Sequence, residues 1–258
     1  MKKILTSILI FLFVFFLQLN AQKIVTDRPD QTESSTTIPF KSFQIESGFL
    51  LGYWELGGEN ERLALGPSTL FRYGIAKWIE IRLVSQYANL KVSSGNTSTS
   101  HSGFLDLEIG AKVQVFKKED VNTEIAFLSH LVAPSGSTEL STGKVGVINK
   151  LAFSHSLTEQ IGLGYNIGYN YFGLGSGMVT YSLVFGFGLT DALGLYLEPY
   201  GEWVISEDFF ANFNAGLTYL VKDNFQLDFS FGTGLNHKMN FLSVGLSWNI
   251  SPKASNKS

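Results

Sequence analysis

The sequence predicts an all-β chain that folds into an antiparallel transmembrane β-barrel of about 12 strands. Three observations indicate this fold: apolar residues alternate with small or polar ones between residues 43 and 250, the alternating stretches are long, and only 16% of residues are charged. About a quarter is usual in soluble proteins. In residues 161–171, isoleucine, leucine and tyrosine occupy one face of the predicted strand and glycine and asparagine the other. A strand between lipid and a lumen has such unlike faces.

The first 21 residues have the pattern of an export signal peptide. Lys2 and Lys3 precede an apolar run over residues 8–17, and Ala21 is a small residue at the expected cleavage point. The run is shorter than the roughly 20 apolar residues that a spanning helix needs. The chain contains no Cys, which excludes a lipid-modified cysteine and disulfide bonds. We therefore expect cleavage after Ala21 and residence in the outer membrane of a Gram-negative-type bacterium.

The predicted parts of the mature chain are a periplasmic N-terminal segment (22–42), a transmembrane barrel (43–250) and a polar C-terminal tail (251–258). The first part is polar and contains Pro29 and Pro39. The strands are predicted at 43–54, 61–73, 78–90, 103–116, 121–133, 144–155, 160–172, 178–189, 194–205, 209–220, 225–235 and 240–250. Most are longer than the five or six residues typical of strands in soluble proteins, which disfavours a soluble sandwich.

The predicted connections alternate in length. Every other one is short and turn-like, and the two longest are Val92–Ser102 and Pro134–Gly143, which are rich in serine, threonine and glycine. Outer-membrane barrels have short periplasmic turns and longer extracellular loops. The alternation therefore predicts that both termini are periplasmic and that the strand number is even.

Strand parity predicts which charged side chains face the lumen. They are Glu46, Arg62, Arg72, Glu80, Arg82, Asp106, Glu108, Lys112, Glu124, Lys150, Glu198, Glu202 and Asp228, eight acidic and five basic. Simple hairpin pairing places Glu46 opposite Ser68 and Ser68 opposite Arg82. Arg72 is then opposite or diagonal to Glu80, and Glu108 is within reach. We interpret Glu46, Arg72, Glu80, Arg82 and Glu108 either as a charged constriction that filters solutes or as pairs that only tie the lumen together. An open pore with this lining should weakly prefer cations.

The run Thr26-Asp27-Arg28-Pro29-Asp30, followed by Thr32-Glu33-Ser34 and by a first strand that begins at Phe43, is the most distinctive local motif. It resembles the exported barrel family labelled "putative MetA-pathway of phenol degradation". The resemblance implies an outer-membrane channel or transporter for small solutes, including hydrophobic or aromatic compounds. The family supplies no catalytic residues.

Two other functions are weighed against a channel: a non-conducting structural or adhesion barrel, and an outer-membrane hydrolase. A hydrolase is less favoured, because His101, His130, His155 and His237 do not share a face with a serine and a carboxylate. The same histidines form no metal-ligand cluster, and we expect no cofactor. Without Lys2 and Lys3 the chain has 17 basic and 22 acidic residues, a net charge of −5, which argues against nucleic acid as a partner.

The expected partners are outer-membrane lipid, the barrel-assembly machinery and an unidentified small solute. The assembly signal is atypical in one respect, because Trp248 is followed by Asn249 and Ile250 rather than ending the strand. The motif itself has two interpretations, a periplasmic tail or a plug. As a plug, Arg28 would pair with Glu46 or Glu80, and Asp27 or Asp30 with Arg72 or Arg82; Glu33 supplies a further carboxylate.

Overall fold

The structure, a computed structural model, describes residues 23–251 apart from Glu119 and Ser206, and for Leu56 it describes the backbone alone. The predicted signal peptide (1–21) lies outside the described residues, as does the tail after residue 251. Cleavage after Ala21 therefore stays a prediction.

The described chain forms thirteen antiparallel β-strands in one sheet. They are β1 (Phe43–Leu56), β2 (Glu59–Ala76), β3 (Ile79–Ser94), β4 (Thr97–Phe104), β5 (Leu107–Lys118), β6 (Val121–Ala133), β7 (Gly146–Ser156), β8 (Ile161–Tyr171), β9 (Met178–Gly188), β10 (Leu193–Val204), β11 (Phe209–Lys222), β12 (Phe225–Gly234) and β13 (Lys238–Ile250). β1 pairs with β13, which closes the sheet. β4 and β5 pair with successive parts of β3 and together occupy the position of a single strand in the barrel wall. The thirteen strands therefore fill twelve positions, and the predicted twelve-stranded barrel is confirmed.

The two faces of the wall follow from the alternation. In β12, Leu227, Phe229 and Phe231 point outward and are 42–45% exposed, whereas the alternate residues Gln226 and Asp228 are buried inside. Such exposure suits a surface that contacts hydrocarbon rather than water. A closed ladder also leaves no unpaired strand edge in lipid, where each unsatisfied backbone group costs several kcal/mol. Among the described residues, no helix has the length and apolar character needed to cross a membrane.

The strand ends agree with the sequence prediction except on one side of the barrel. The predicted long connection Val92–Ser102 is wrong, because β3 continues to Ser94 and pairs with β4 from Thr97. The turn contains Gly95 with φ +56°, a backbone conformation that glycine adopts readily. This hairpin extends beyond the lipid-facing belt, where serine and threonine are tolerated on both faces. The other long connection, at residues 134–145, is a loop with a short 3₁₀-helix, Thr138–Leu140.

A bulge in β2 reverses the side-chain parity of its outer half. Leu65 pairs with Ala88 and Ser68 pairs with Gln86, so residues 66–67 lie opposite a single residue of β3. Pro67 has no N–H to donate to the ladder. The consequence is that Arg62 lies opposite the outward-facing Tyr53. The prediction that Arg62 faces the lumen was therefore wrong.

A second irregularity separates β4 from β5. There the Asp106 carboxylate accepts hydrogen bonds from the backbone N–H groups of Ser135 and Gly136 at 3.0 and 2.8 Å. Asp106 therefore fixes the outer loop instead of lining the lumen, contrary to the parity prediction.

The pairing of the first three strands also differs from the simple prediction. Glu46 lies opposite Leu70 rather than Ser68, and Ser68 lies opposite Gln86 rather than Arg82. Arg72 lies opposite Arg82, with Glu80 diagonal to it. The two arginines are therefore direct neighbours across β2 and β3.

We expect the two faces of β11 to respond differently to a new charge. Leu217 is outward-facing near the middle of the strand, and the next residue, Thr218, faces a cavity inside the barrel. Leu217→Lys should lower the free energy of unfolding in lipid vesicles by about 2–4 kcal/mol, and Thr218→Lys by much less. Urea titrations of both variants measure the difference. Equal costs would contradict the assignment of the outer face to lipid.

Candidate functional site

Most of residues 23–42, here called the N-terminal segment, lies inside the barrel lumen, whereas Lys23 and residues 39–41 are exposed. The backbone N–H of Ile24 donates to the carbonyl of Asp223 at the end of the barrel that holds the short turns. The segment then crosses the lumen to Asn166 on β8 and returns past Glu80 on β3 to the start of β1. Because outer-membrane barrels have their short turns in the periplasm, we expect this to be the periplasmic end.

The carboxylate of Asp27 lies at the centre of a group of buried charges. Its Oδ2 atom is 2.6 Å from Arg82 Nη1, 2.7 Å from Lys112 Nζ and 3.2 Å from Arg72 Nη1. Its Oδ1 atom accepts the backbone N–H of Ser34 at 2.8 Å, which closes a loop over residues 27–34. One side chain of the segment therefore contacts cations from three strands, β2, β3 and β5.

Three further carboxylates complete the group. Arg72 donates to both oxygens of Glu80 at 2.8 and 2.9 Å, and to Glu46 at 2.8 Å. Glu33 Oε2 is 2.8 Å from Arg82 and 3.4 Å from Lys112. We call these seven residues the Asp27 cluster; they are Asp27, Glu33, Glu46, Glu80, Arg72, Arg82 and Lys112. Two of its carboxylates belong to the segment and two to the wall.

The surroundings of Asp27 favour its charged form. Burial by itself raises the pKa of this carboxyl, but the positive charges of Arg72, Lys112 and Arg82 outweigh burial and hold the pKa well below its usual range. At neutral pH the Asp27 side chain is therefore an anion.

Arg28 is bound on the neighbouring part of the wall, where β12 and β13 lie next to β1. Its guanidinium donates to both oxygens of Asp228 at 3.0 and 3.3 Å and to Ser243 at 3.1 Å. The predicted partners Glu46 and Glu80 are therefore wrong for Arg28. Glu46 instead accepts the backbone N–H of Asp27 at 2.8 Å.

A pair of glycines makes room for Arg28. Gly48 on β1 lies opposite Gly245 on β13, and a Cβ atom on either residue would come within 2.4 Å of the Arg28 guanidinium. At Gly245 the nearest atoms are all from Arg28, so a side chain there would displace Arg28 without touching the backbone. The two glycines form a slot that fits this side chain.

The turn of the segment is held by a buried carboxylate on the far wall. Glu198 on β10 accepts the backbone N–H groups of Gln31 and Thr32 at 2.9 and 2.8 Å, and the Thr32 hydroxyl at 2.6 Å. Asn166 bonds both the N–H and the carbonyl of Glu33. These bonds satisfy backbone groups that an irregular segment cannot satisfy by itself.

Asp30 contacts no cation among the described residues, although it was a candidate partner of Arg72 or Arg82. Burial, and then the neighbouring charge of Glu198, raise the pKa of its carboxyl well above the usual range.

Glu108 also stands apart from the cluster: it is 2.9 Å from His130 Nδ1, and Arg82 Nε donates to His130 Nε2 at 3.1 Å. This geometry requires a neutral imidazole with its proton on Nδ1.

Seven of the nine candidate site residues take part in bonds between the segment and the wall; they are Asp27, Arg28, Glu33, Glu46, Arg72, Glu80 and Arg82. Sequence reasoning did not select Lys112, Glu198 and Asp228 as site residues, although parity placed them inside. It also missed His130 and Asn166, which lie on inward faces of β6 and β8. Parity alone identifies inward positions, and it carries no information on which of them the segment contacts.

The segment separates two spaces in the lumen. The outer vestibule, of about 590 Å³, is lined by the outer halves of the strands and by Gln31 at the turn of the segment. The inner cavity, of about 740 Å³, is lined by much of the segment and by the periplasmic strand ends. A smaller space of about 370 Å³ lies beside Arg28 and Arg82. No group of His, Asp and Glu residues suited to a metal ion occurs in the described part of the chain.

A closed barrel with an apolar outer belt and a polar lumen defines an outer-membrane β-barrel protein. The family model described as "Putative MetA-pathway of phenol degradation" matches residues 26–250, and the chain belongs to this family. The match confirms the family resemblance that the sequence analysis inferred from the motif around Asp27. No curated protein sequence matches the chain.

Solved structures share the fold. The COG4313 outer membrane channel from Pseudomonas putida F1 is 14% identical, with a TM-score of 0.65, over 84% of this chain and 98% of that chain. The KdgM porin is 12% identical, with a TM-score of 0.55, over 80% and 98%. The structural overlap shows a shared fold, and at such low sequence identity it shows no more than the fold. The fold implies residence in the outer membrane.

Removal of the Asp27 charge should release the segment without unfolding the barrel. In Asp27→Asn, three buried cations lose an anion, whereas the strand ladder keeps all its bonds. Ser35 is a suitable reporter position, because it is buried and its hydroxyl has no partner among the described residues. With Ser35→Cys as the single cysteine, Asp27→Asn should raise the rate of maleimide labelling about tenfold or more. Glu55→Gln, an exposed carboxylate at the outer end, is the control, and unchanged labelling would contradict the anchoring role.

The glycine slot gives a second test with a matched pair of variants. Gly245→Ala places a methyl group in the position of the Arg28 guanidinium, whereas a Cβ at Gly186, which also lines the lumen, meets nothing within 4 Å. Gly245→Ala should raise labelling of the Ser35→Cys reporter, and Gly186→Ala should leave it unchanged. If the two variants label equally, Arg28 does not hold the segment.

Proposed function

We propose that the protein is an outer-membrane channel for small solutes, including hydrophobic or aromatic compounds, and that the N-terminal segment closes its lumen. The observation that carries the proposal is the course of the segment, which crosses the lumen and bonds to opposite walls through Asp27, Arg28 and the backbone of residues 31–33. The family and the fold support a channel. The signal peptide is proposed to be cleaved during export.

The bonds between segment and wall suit a removable closure. The strand ladder is complete without the segment, so the wall does not need it. Buried ion pairs contribute little net stability compared with apolar packing, yet they fix one geometry. When the segment leaves, water enters the lumen and hydrates Arg72, Arg82 and Lys112. Release therefore costs much less than opening an apolar core of the same size.

Two alternatives have weaker support. An adhesion barrel would be expected to present long patterned loops, whereas β1–β2 and β3–β4 are joined by two-residue turns. A hydrolase needs a base near a nucleophile. Within the described chain, His130 bonds to Arg82 and Glu108, whereas His155 bonds to Thr123 and Tyr165. Neither histidine forms a hydrogen bond with a serine hydroxyl.

The proposed partners are lipid at the apolar belt, the barrel-assembly machinery at β13, and the solute.

The test is deletion of residues 23–38 from the exported protein, which keeps the turn before β1. The truncated barrel should show a higher single-channel conductance in planar bilayers than the full chain, because the lumen loses its only crossing segment in the described structure. Asp27→Asn should fall between the two. Heat-modifiable migration in gels verifies that each variant is assembled. An assembled truncated barrel with unchanged conductance would refute the closure.

The truncated barrel should also prefer cations. Without Arg62 and Asp106, the inward set keeps seven acidic and four basic residues. An excess of carboxylates along a narrow lumen attracts cations and repels anions. Reversal potentials in a salt gradient measure the preference, and a clear anion preference would contradict this account of the lumen.

A further inference from the structure

The outer vestibule has one apolar wall and one polar wall. The apolar wall belongs to β1, β2, β3 and β13 and is formed by Leu50, Trp54, Leu63, Leu90, Met239 and Phe241. Glu55 and Glu61, next to the turn between β1 and β2, also line the vestibule. The polar wall belongs to β7–β11 and is formed by Lys150, Asn170, Thr180, Tyr200, Glu202 and Asn212. A molecule that fills this space meets hydrocarbon on one side and hydrogen-bonding groups on the other.

The polar wall differs from the Asp27 cluster because its groups are unpaired. The Oδ1 atoms of Asn170 and Asn212 are buried without a hydrogen-bond partner, and Asn212 is only 7% exposed. In the part of the chain that the structure describes, Lys150 and Glu202 form neither an ion pair nor a hydrogen bond. An unpaired buried polar group costs about 1–3 kcal/mol. Several such groups around one cavity indicate a site whose bonds are completed by a ligand.

The two charged groups of this wall lie in one row across the strands. Lys150 is opposite Gly168, Gly168 is opposite Thr180, and Thr180 is opposite Glu202. Three strand spacings separate their backbones by about 14 Å, and both side chains point into the same cavity. Between them, the Lys150 and Thr180 side chains pack closely over Gly168, which has none of its own. One small molecule with groups at both ends can therefore bridge the two charges.

We propose that the outer vestibule binds a small aromatic acid that carries a hydroxyl or amino group at the end opposite its carboxylate. The carboxylate pairs with Lys150, the hydroxyl or amino group donates to Glu202, and the ring packs against Trp54 and its apolar neighbours. Asn170 and Asn212 accept further hydrogen bonds. The proposal names the solute class of the channel and so rests on the proposed function. An unsubstituted hydrocarbon would leave all these polar groups unpaired, and such sites discriminate against it.

The test uses 4-hydroxybenzoate and the fluorescence of Trp54 in the full-length protein in lipid nanodiscs. The other three tryptophans, Trp78, Trp203 and Trp248, are about half exposed and do not line the vestibule. Saturable quenching is expected and should disappear in Trp54→Phe. Lys150→Met should weaken binding about tenfold or more. Glu202→Gln should weaken binding of 4-hydroxybenzoate and leave binding of benzoate unchanged.

Lys91→Met and Glu59→Gln are the controls, because both residues are exposed and neither lines the vestibule. The unmodified protein is also titrated with three related ligands: benzoate, which lacks the hydroxyl; 4-hydroxybenzyl alcohol, which lacks the carboxylate; and toluene, which lacks both. These titrations do not depend on the folding of any variant. Absence of saturable quenching, or equal binding of toluene and 4-hydroxybenzoate, would overturn the proposal. Equilibrium binding requires no transport: if neither the full chain nor the truncated barrel conducts but binding persists, the site stands and the channel does not.

Discussion

The packing of the lumen depends on the position of the Asp27 carboxylate among Arg72, Arg82 and Lys112. Arg72 and Arg82 lie directly opposite each other on neighbouring strands, an arrangement that is destabilising for like charges. Lys112, opposite Glu80 on the next strand, adds a third cation. The wall supplies Glu46 and Glu80, and the segment supplies Asp27 and Glu33. With the segment in place, four carboxylates surround the three cations, and each cation is paired.

The lumen carboxylates also act as acceptors for a backbone that has no secondary structure of its own. Glu46 accepts from Asp27, Glu198 from Gln31 and Thr32, and Glu80 from Ile38. A buried irregular chain needs such partners, because its N–H groups are shielded from water. This requirement explains why acidic side chains occur on three separate parts of the wall, β1, β3 and β10. A binding role for the segment accounts for their positions better than a filter for passing ions.

Period-two alternation was sufficient to predict the barrel, its closure and most strand ends, because lipid requires apolar side chains on one face of every strand. The failures at Arg62 and Asp106 have a shared cause: parity counting assumes an uninterrupted ladder. Gly66-Pro67 inside a strand was a visible warning, since proline in a strand is confined to edges and bulges. The lumen contacts were less predictable. The Arg28 slot depends on Gly48 and Gly245, which are distant in sequence and meet only where β1 closes on β13.

Gln31 links the paired inner lumen to the unpaired outer vestibule. Its backbone N–H bonds to Glu198 in the closed arrangement, and the residue also lines the vestibule. A ligand in the vestibule therefore contacts the segment that closes the lumen. Contact alone does not open a channel, because a ligand shifts an equilibrium only by its difference in affinity for the two states. Opening by a solute would require tighter binding when Gln31 is displaced. Displacement of Gln31 breaks its own bond to Glu198, whereas Asp27, which contacts the three cations, lies four residues earlier in the segment. In the proposed channel, a solute in the vestibule therefore acts on the turn of the segment directly and on the Asp27 cluster only through the intervening backbone.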